Sequence, residues 1–375
     1  MSEGYRRPSY RYPQDVAKIN VALVFGGRSS EHAISCVTAG NVMAAIDRNK
    51  YDVTPIGITQ AGEWRLQSSS EPLAITDGHL PEITTGDLVT LTSVPGAPLS
   101  AAVGGTMASV DVVFPLLHGP WGEDGTIQGL LELAAIPYVG SGVYASAASM
   151  DKIHMKAAFR AANLPVGPYE SITMREWQRD RSAVLQRVSA LAFPVFVKPA
   201  RAGSSIGITK VSSVEGLEAA IVFAQQHDPK VIVEQGIEGA REIECAVLVR
   251  ADGVAHASVC GEIKVHDDHD FYDFEAKYID DGADLIVPAE LSSDLQGQVQ
   301  SLAIEAFEAL DCEGLARVDF FVTASGEIVI NEVNTMPGFT PISMFPRLWA
   351  ATGVAYPELI DTLIQDALRR GTGLR

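Results

Sequence analysis

The apolar pattern changes period along the chain, and no single sheet satisfies both periods. Near the start, Asn20-Val-Ala-Leu-Val-Phe25 is a continuous apolar run that ends in Gly26-Gly27. Such a run reads as a strand buried on both faces, the habit of parallel sheets in α/β units. Near the end, Gly314–Val322 and Ile328–Asn334 place polar residues two apart, with a turn at Ala324-Ser325-Gly326. That is the pattern of an antiparallel hairpin with a polar face. The 375 residues also exceed the size at which one core stops growing, so roughly two to three domains are expected.

Between these ends the elements alternate. A helix running to Asp47, capped by Ser29 or Ser30, and strands over Asp52–Thr59 and Asp111–Leu117 make a β-α-β arrangement, hence an open parallel sheet. Residues 60–110, rich in Ser, Thr, Gly and Pro, read as an edge hairpin with long loops. Ile127, Leu130, Leu131 and Ala134 give one apolar helix face, and Pro137 starts a further strand. A helix over Met150–Asn163 is ended by Leu164-Pro165; strands over Pro194–Pro199 and Lys230–Glu234 flank a helix over Val214–His227. A long helix is expected near 293–310. The expected organisation is a loosely held tail (1–18), an N-terminal α/β unit (19–146), a central unit (147–233) and a C-terminal unit (234–375), whose polar stretch 264–288 is long enough to act as a lid.

Composition removes several classes of function. Lys plus Arg number 28 against 47 Asp plus Glu, and the net charge of −19 repels phosphate backbones, so no nucleic-acid partner is expected. No apolar run approaches the ~20 residues that cross a bilayer, and the N-terminus lacks the apolar core of a signal peptide. The expected compartment is the cytoplasm, with no membrane partner. Cys36, Cys245, Cys260 and Cys312 are widely spaced with no C-x-x-C, which reads as reduced, packed thiols.

Four constellations can carry chemistry. Lys198 emerges from an apolar strand directly before Ala202-Gly203-Ser204-Ser205-Ile206-Gly207, a small-residue loop whose N–H groups can approach an anion or can simply make a turn. It is not a Walker A loop. In the hairpin, period 2 puts Arg317 and Asp319 on one face and Glu332 and Asn334 on one face of the next strand. Two carboxylates and an amide oxygen suit Mg²⁺ completed by phosphates; an Arg–Asp pair on a solvated face is the other reading of the hairpin alone. The Pro-Gly turn at Gly338 favours the first, because it puts a backbone N–H beside Arg317, a donor pair able to hold an oxyanion. Gly26-Gly27-Arg-Ser-Ser-Glu31-His32 lies at a strand's carboxyl end, where open α/β sheets bind ligands. Glu31 there could hold an ammonium or serve a helix N-terminus, and without G-x-G-x-x-G a dinucleotide loop is disfavoured. His118-Gly-Pro-Trp-Gly-Glu-Asp-Gly125 ends another strand.

Taken in order, GGRSSEHAIS, HGPWGEDGTIQG, YVGSGVYASAASMDK, VKPARAGSSIG, FYDFEAKY, GLARVDFF and NEVNTMPGFTPIS resemble the motifs of the D-alanine–D-alanine ligases of the ATP-grasp superfamily, from about residue 20 onward. The resemblance implies a three-domain ATP-grasp fold, mixed α/β and α+β, with an N-terminal Rossmann-like open parallel sheet. It implies ATP and two Mg²⁺ ions, with Mn²⁺ as a substitute, held between the central and C-terminal units. The implied reaction joins two D-alanines through an acyl phosphate for peptidoglycan precursors. Ligation of D-alanine to D-lactate, or of another carboxylate to another amine, is the alternative.

By those motifs Asp319, Glu332 and Asn334 hold the metal ions, while Lys152, Lys198 and Lys277 contact phosphates, with Ser204 and Ser205 on the cradling loop. Arg317 and the N–H of Gly338 hold the oxyanion. Glu234, Ile237 and Glu242 match the nucleotide strand and ribose contact, although Gln235 stands where some members have lysine. Glu31 binds the first D-alanine's ammonium near His118, Ser343 receives the second substrate's carboxylate, and Ser204 and Tyr278 link Glu31 to the lid. Tyr278 is the lid residue of the dipeptide-forming members. A two-fold homodimer is expected.

Overall fold

The computed structural model describes residues 17–68, 73–74, 79–91, 99–101, 109–266 and 283–373. Three sheets account for the change of period. The first has β1 (Ile19–Gly26), β2 (Tyr51–Ile58), β3 (Trp64–Leu66), β4 (Asp87–Leu91), β5 (Leu99–Ala101) and β6 (Val112–Pro115), in the order β5-β4-β3-β2-β1-β6. β2, β1 and β6 run parallel, and β3 to β5 add antiparallel at one edge. Val21 through Phe25 are all buried because both sheet faces are covered, which is why this strand carries no polar alternation.

Helix α1 (His32–Ala45) follows β1, and α2 (Thr126–Leu133), α3 (Val143–Met150) and α4 (Lys152–Ala161) lead out of the first sheet. Several sequence expectations are corrected here. The cap of α1 is Glu31 rather than Ser29 or Ser30, because residues 28–31 form a turn in which Ser29 Oγ donates instead to the His118 carbonyl (2.8 Å). Pro137–Gly140 makes a single bridge, Val113 with Tyr138, and not a strand. The helix expected from Met150 starts at Lys152, because the Asp151 carboxylate accepts from the Ile153 and His154 N–H groups and breaks α3 from α4.

The second sheet, β7-β10-β8-β9, is antiparallel: β7 (Tyr169–Thr173), β8 (Val195–Pro199), β9 (Thr209–Val211) and β10 (Lys230–Gln235). Helices α5 (Met174–Arg179), α6 (Arg181–Val188) and α7 (Leu217–Ala224) supply Trp177, Val184, Val188, Leu217 and Ile221 to a core with Val195, Val197, Val231 and Val233. The residues expected to open α7 form a 3-10 turn instead, Val214–Gly216.

The third sheet is also antiparallel, in the order β13-β12-β11-β14-β15: β11 (Arg241–Val249), β12 (Ala255–Val265), β13 (Ala283–Ile286), β14 (Leu315–Val322) and β15 (Ile328–Asn334). Helix α8 (Ser293–Ala309) packs with α4 on one face. Helices α9 (Met344–Ala351) and α10 (Tyr356–Arg370) join the other face to the first sheet in one core. In α10, Leu359, Ile360, Leu363, Ile364 and Ala367 recur at helical spacing and meet Val112 and Phe114 of β6. Tyr51 hydroxyl donates to Asp361 Oδ1 (2.7 Å) at the same seam. All four cysteines are free and buried, as the sequence indicates, and no helix among the described residues is long and apolar enough to cross a membrane.

This seam joins the chain's two ends, so truncating it should destabilise the whole molecule. Leu363 is fully buried, and Leu363→Ala should cost about 2–5 kcal/mol. Urea unfolding measures this, and a loss below about 1 kcal/mol would mean that the helix does not share the core.

Candidate active site

The site face of the second sheet follows from strand alternation. Val195 and Val197 turn toward the helices, so Phe196 and Lys198 turn away; Val231 and Val233 likewise send Glu234 away. The register pairs Lys198 with Ile232 and Phe196 with Glu234, which makes Lys198 and Glu234 diagonal neighbours. Lys198 Nζ donates to Glu234 Oε2 (2.7 Å), and Lys156 Nζ, from α4, lies 3.2 Å from Oε1. Burial alone would push the Glu234 carboxyl up, but Lys156 and Lys198 hold it down to about 2. Burial drags the Lys156 ammonium down, whereas for Lys198 the Glu234 carboxylate outweighs burial and raises it.

On the third sheet, Arg317 pairs with Asn334 and Asp319 with Glu332 across β14 and β15. Strict alternation along β15 would put Glu332 and Asn334 on the same face as the buried Ile328 and Ile330. The ladder avoids this with a bulge: Phe320 pairs with Ile330, so Asn331 has no opposite residue and the face switches after it. Arg317 Nε and Nη2 donate to both Asp319 oxygens (2.7 Å each), Nε lies 3.0 Å from Glu244 Oε2, and Asn334 Nδ2 donates to Asp319 Oδ2 (3.0 Å). Burial opposes the Arg317 cation, but Asp319 and Glu244 more than offset it and its pKa rises further. Lys152 Nζ reaches across from α4 to Glu332 Oε2 (3.3 Å) and donates to the Ala202 carbonyl (3.1 Å). The four hairpin residues therefore converge, brought onto one face by the bulge, and the lysine that opens α4 joins them to the small-residue loop.

At the other end of this region the Glu31 carboxylate accepts from Ser204 Oγ. Ser204 and Ser205 have φ of 49° and 58°, a left-handed turn that bends the loop back toward Glu31. Gly119, at φ +72°, and Gly203 have no room for a side chain, because a Cβ on either would run into the Glu31 carboxylate. His118 is buried, its Nδ1 3.1 Å from the Met336 carbonyl; burial lowers its pKa and Glu31 opposes that. Ser343 Oγ lies 2.8 Å from Thr340 Oγ1 and accepts from the Thr340 N–H (3.2 Å). It stands over Gly338, whose Cβ would meet it at 3.2 Å.

Three residues here were not assigned roles from the sequence. Glu123 accepts from Gly119 N (2.7 Å) and Met336 N (3.1 Å), clamping the first unit's loop to the turn after β15. Its burial, with Glu31 nearby, pushes its carboxyl up to about 8. Glu244 shares the site face with Glu242, two residues away on β11, and Lys156 stands one turn after Lys152 on α4. Same-face spacing was the available signal for both. Ile237 lies in the loop after β10, and Glu242 lies on β11. Lys277 and Tyr278, with most of the expected lid, lie outside the described residues. Among the described residues no group of three or more His, Cys, Asp or Glu side chains could hold a metal by itself.

Two antiparallel sheets presenting lysines and acidic oxygens to one another, beside a mixed sheet with a parallel centre, define the ATP-grasp class of ligases. Residues 20–141 match the family model described as D-ala D-ala ligase N-terminus, and residues 158–365 the D-ala D-ala ligase C-terminus. A D-alanine–D-alanine ligase of Paenarthrobacter aurescens is 57% identical over 365 residues, covering 95% of this chain and 96% of its own. The solved D-alanine–D-alanine ligase of Coxiella burnetii superposes with a TM-score of 0.81 at 34% identity, covering 94% of each chain. A D-Ala:D-Ser ligase from Enterococcus faecalis gives 0.81 at 35%, covering 94% of this chain and all of that one. The chain belongs to the D-alanine–D-alanine ligase family.

The buried charge pairing predicts a pH dependence. Glu234's pKa is depressed in the folded state, so its stabilising contribution is present above about pH 4.5, the unfolded value, and is lost as pH falls toward about 2. Melting temperature should therefore fall more steeply between those values in the wild type than in Glu234→Gln. Parallel curves would show that Glu234 is not ionised against the lysines.

Proposed function

We propose that the chain joins two D-alanines to D-alanyl-D-alanine, cleaving ATP to ADP and phosphate. The observation that carries this reading is the shared space between Lys152, Lys198 and the Asp319, Glu332 and Asn334 oxygens, where ammonium groups and acidic donors face each other across two sheets. A triphosphate with its cations requires that charge pattern.

The donor set fits Mg²⁺: two carboxylates and an amide on adjacent strands, with a partial coordination shell that substrate phosphates complete. Asn334 donates to Asp319 through Nδ2, which leaves its side-chain oxygen as the donor for a cation. Bound there, two Mg²⁺ ions, or Mn²⁺ in their place, would neutralise phosphate charge and polarise the transferred phosphoryl group.

The chain's own residues supply the rest. Glu31, held by Ser204, anchors the first D-alanine's ammonium near His118, which leaves its carboxylate free to attack the γ-phosphorus in line. Lys152, Lys198 and Lys277 stabilise charge on the phosphates, and ADP leaves. The second D-alanine, its carboxylate at Ser343, loses an ammonium proton and its amine attacks the acyl-phosphate carbon. Arg317 and the Gly338 N–H hold the oxyanion, then phosphate leaves and the amide forms. Glu234, Ile237 and Glu242 hold the nucleotide. Tyr278 and Ser204 position Glu31 and the incoming amine. Residues 19–146 bind the first substrate, 147–233 and 234–375 enclose the nucleotide, and 264–288 cover it. The same reading gives a cytoplasmic two-fold homodimer, checked by light-scattering mass.

Purified protein with ATP, Mg²⁺ and D-alanine should release phosphate and dipeptide in equal amounts. Preference for D-lactate or D-serine as second substrate at neutral pH, or ATP hydrolysis that ignores D-alanine, would overturn the proposal. Glu332→Gln should lower kcat by about two orders of magnitude through the lost ligand charge, with melting temperature shifted by only a few degrees. A variant that keeps its rate rules out the metal assignment.

A further inference from the structure

Lys156 is the most deeply buried lysine of the molecule's described residues, 3% exposed, yet none of the steps above uses it. Its ammonium makes two contacts on two different sheets: 3.2 Å to Glu234 Oε1 on β10, and 3.0 Å to the carbonyl of Asn331 on β15. Each contact matters to the nucleotide site for its own reason.

Glu234 holds Lys198 at 2.7 Å. A lysine that neutralises a carboxylate cannot also give its full charge to a phosphate, and a carboxylate abandoned by its partner in a buried setting is strongly disfavoured. Lys156 removes the conflict. With two lysines on one carboxylate, Glu234 keeps a counter-ion when Lys198 turns to the nucleotide. The second contact is to the residue that interrupts the β15 ladder. A bulge leaves its residue without ladder partners, and Lys156 satisfies the Asn331 carbonyl. This bulge is what moves Glu332 off the buried face and onto the face of Asp319.

We propose that Lys156 is a positioning residue for the nucleotide–metal site: it stands in for Lys198 at Glu234 and pins the Asn331 bulge that presents Glu332. This extends the ligase reading above, since it assumes that Lys198 meets phosphate there.

The test is binding of ADP with Mg²⁺ by calorimetry, alongside steady-state kinetics. Lys156→Met keeps the stem and deletes the charge. Its Kd for ADP and KM for ATP should rise by about tenfold or more, the loss of one charge-assisted contact, while KM for D-alanine stays within about twofold. Lys156→Gln keeps an N–H donor for the Asn331 carbonyl but no charge, so its ADP affinity should fall as in Lys156→Met while its kcat falls less. Equal ADP affinity in Lys156→Met and wild type would overturn the proposal, as would a Lys156→Gln variant that binds ADP as tightly as wild type. Should Lys156→Met not fold at assay temperature, Lys156→Gln carries the test by itself: ADP affinity about tenfold weaker than wild type supports the proposal, and wild-type ADP affinity defeats it. Wild-type protein that fails to bind ADP would instead defeat the ligase reading.

Discussion

The structure depends on balancing charges that have been taken out of water. Lys198 and Glu234 on the second sheet, Arg317, Asp319 and Glu244 on the third, and Lys156 on α4 each have an opposite charge within 2.7–3.2 Å. An isolated ion there would be prohibitive, and even a good pair roughly breaks even against a hydrophobic replacement. Such an arrangement contributes little to stability. It makes sense as a preformed field, ready for a phosphate-bearing ligand.

That field is useful only if the first unit delivers a substrate to it. The shared core made by α9 and α10 fixes the first sheet against the third, and two polar ties sharpen the alignment. Glu123 holds Gly119 and Met336 to the same carboxylate, and His118 meets the Met336 carbonyl. Glycine at 119 then allows the Glu31 carboxylate to lie against backbone, close to Ser204 of the central loop. Glu31, the Ser204 loop and the turn at Gly338 are thus aligned by packing far from any of them.

Much of the site was legible before any coordinates. Arg317, Asp319, Glu332 and Asn334 announced themselves by polar alternation within apolar strands, and Lys198 by its place at the end of an apolar strand before small residues. Lys156, Glu244 and Glu123 did not, because a buried charge in sequence looks the same as a solvated one. Only the partner across the sheet tells them apart. The break at Asp151 was missed because capping there is decided by which N–H a short polar side chain reaches, whereas at Glu31 the helix starts with no side-chain cap at all, so no capping residue marks it.

By itself the sequence determined the separate sheets and the residue types of the donor set, because period and residue type are local properties of the chain. Tertiary structure decided the rest. Strict alternation would have buried Glu332 with Ile330; the unpaired residue at 331 turned it outward, and that depends on how β15 registers against β14. Likewise the pairing of Lys156 and Lys198 on one carboxylate, and the joining of the chain's two ends in one core, arise from contacts between residues distant in sequence. No local pattern encodes such contacts, because the energy that selects them is realised only when both surfaces leave water together.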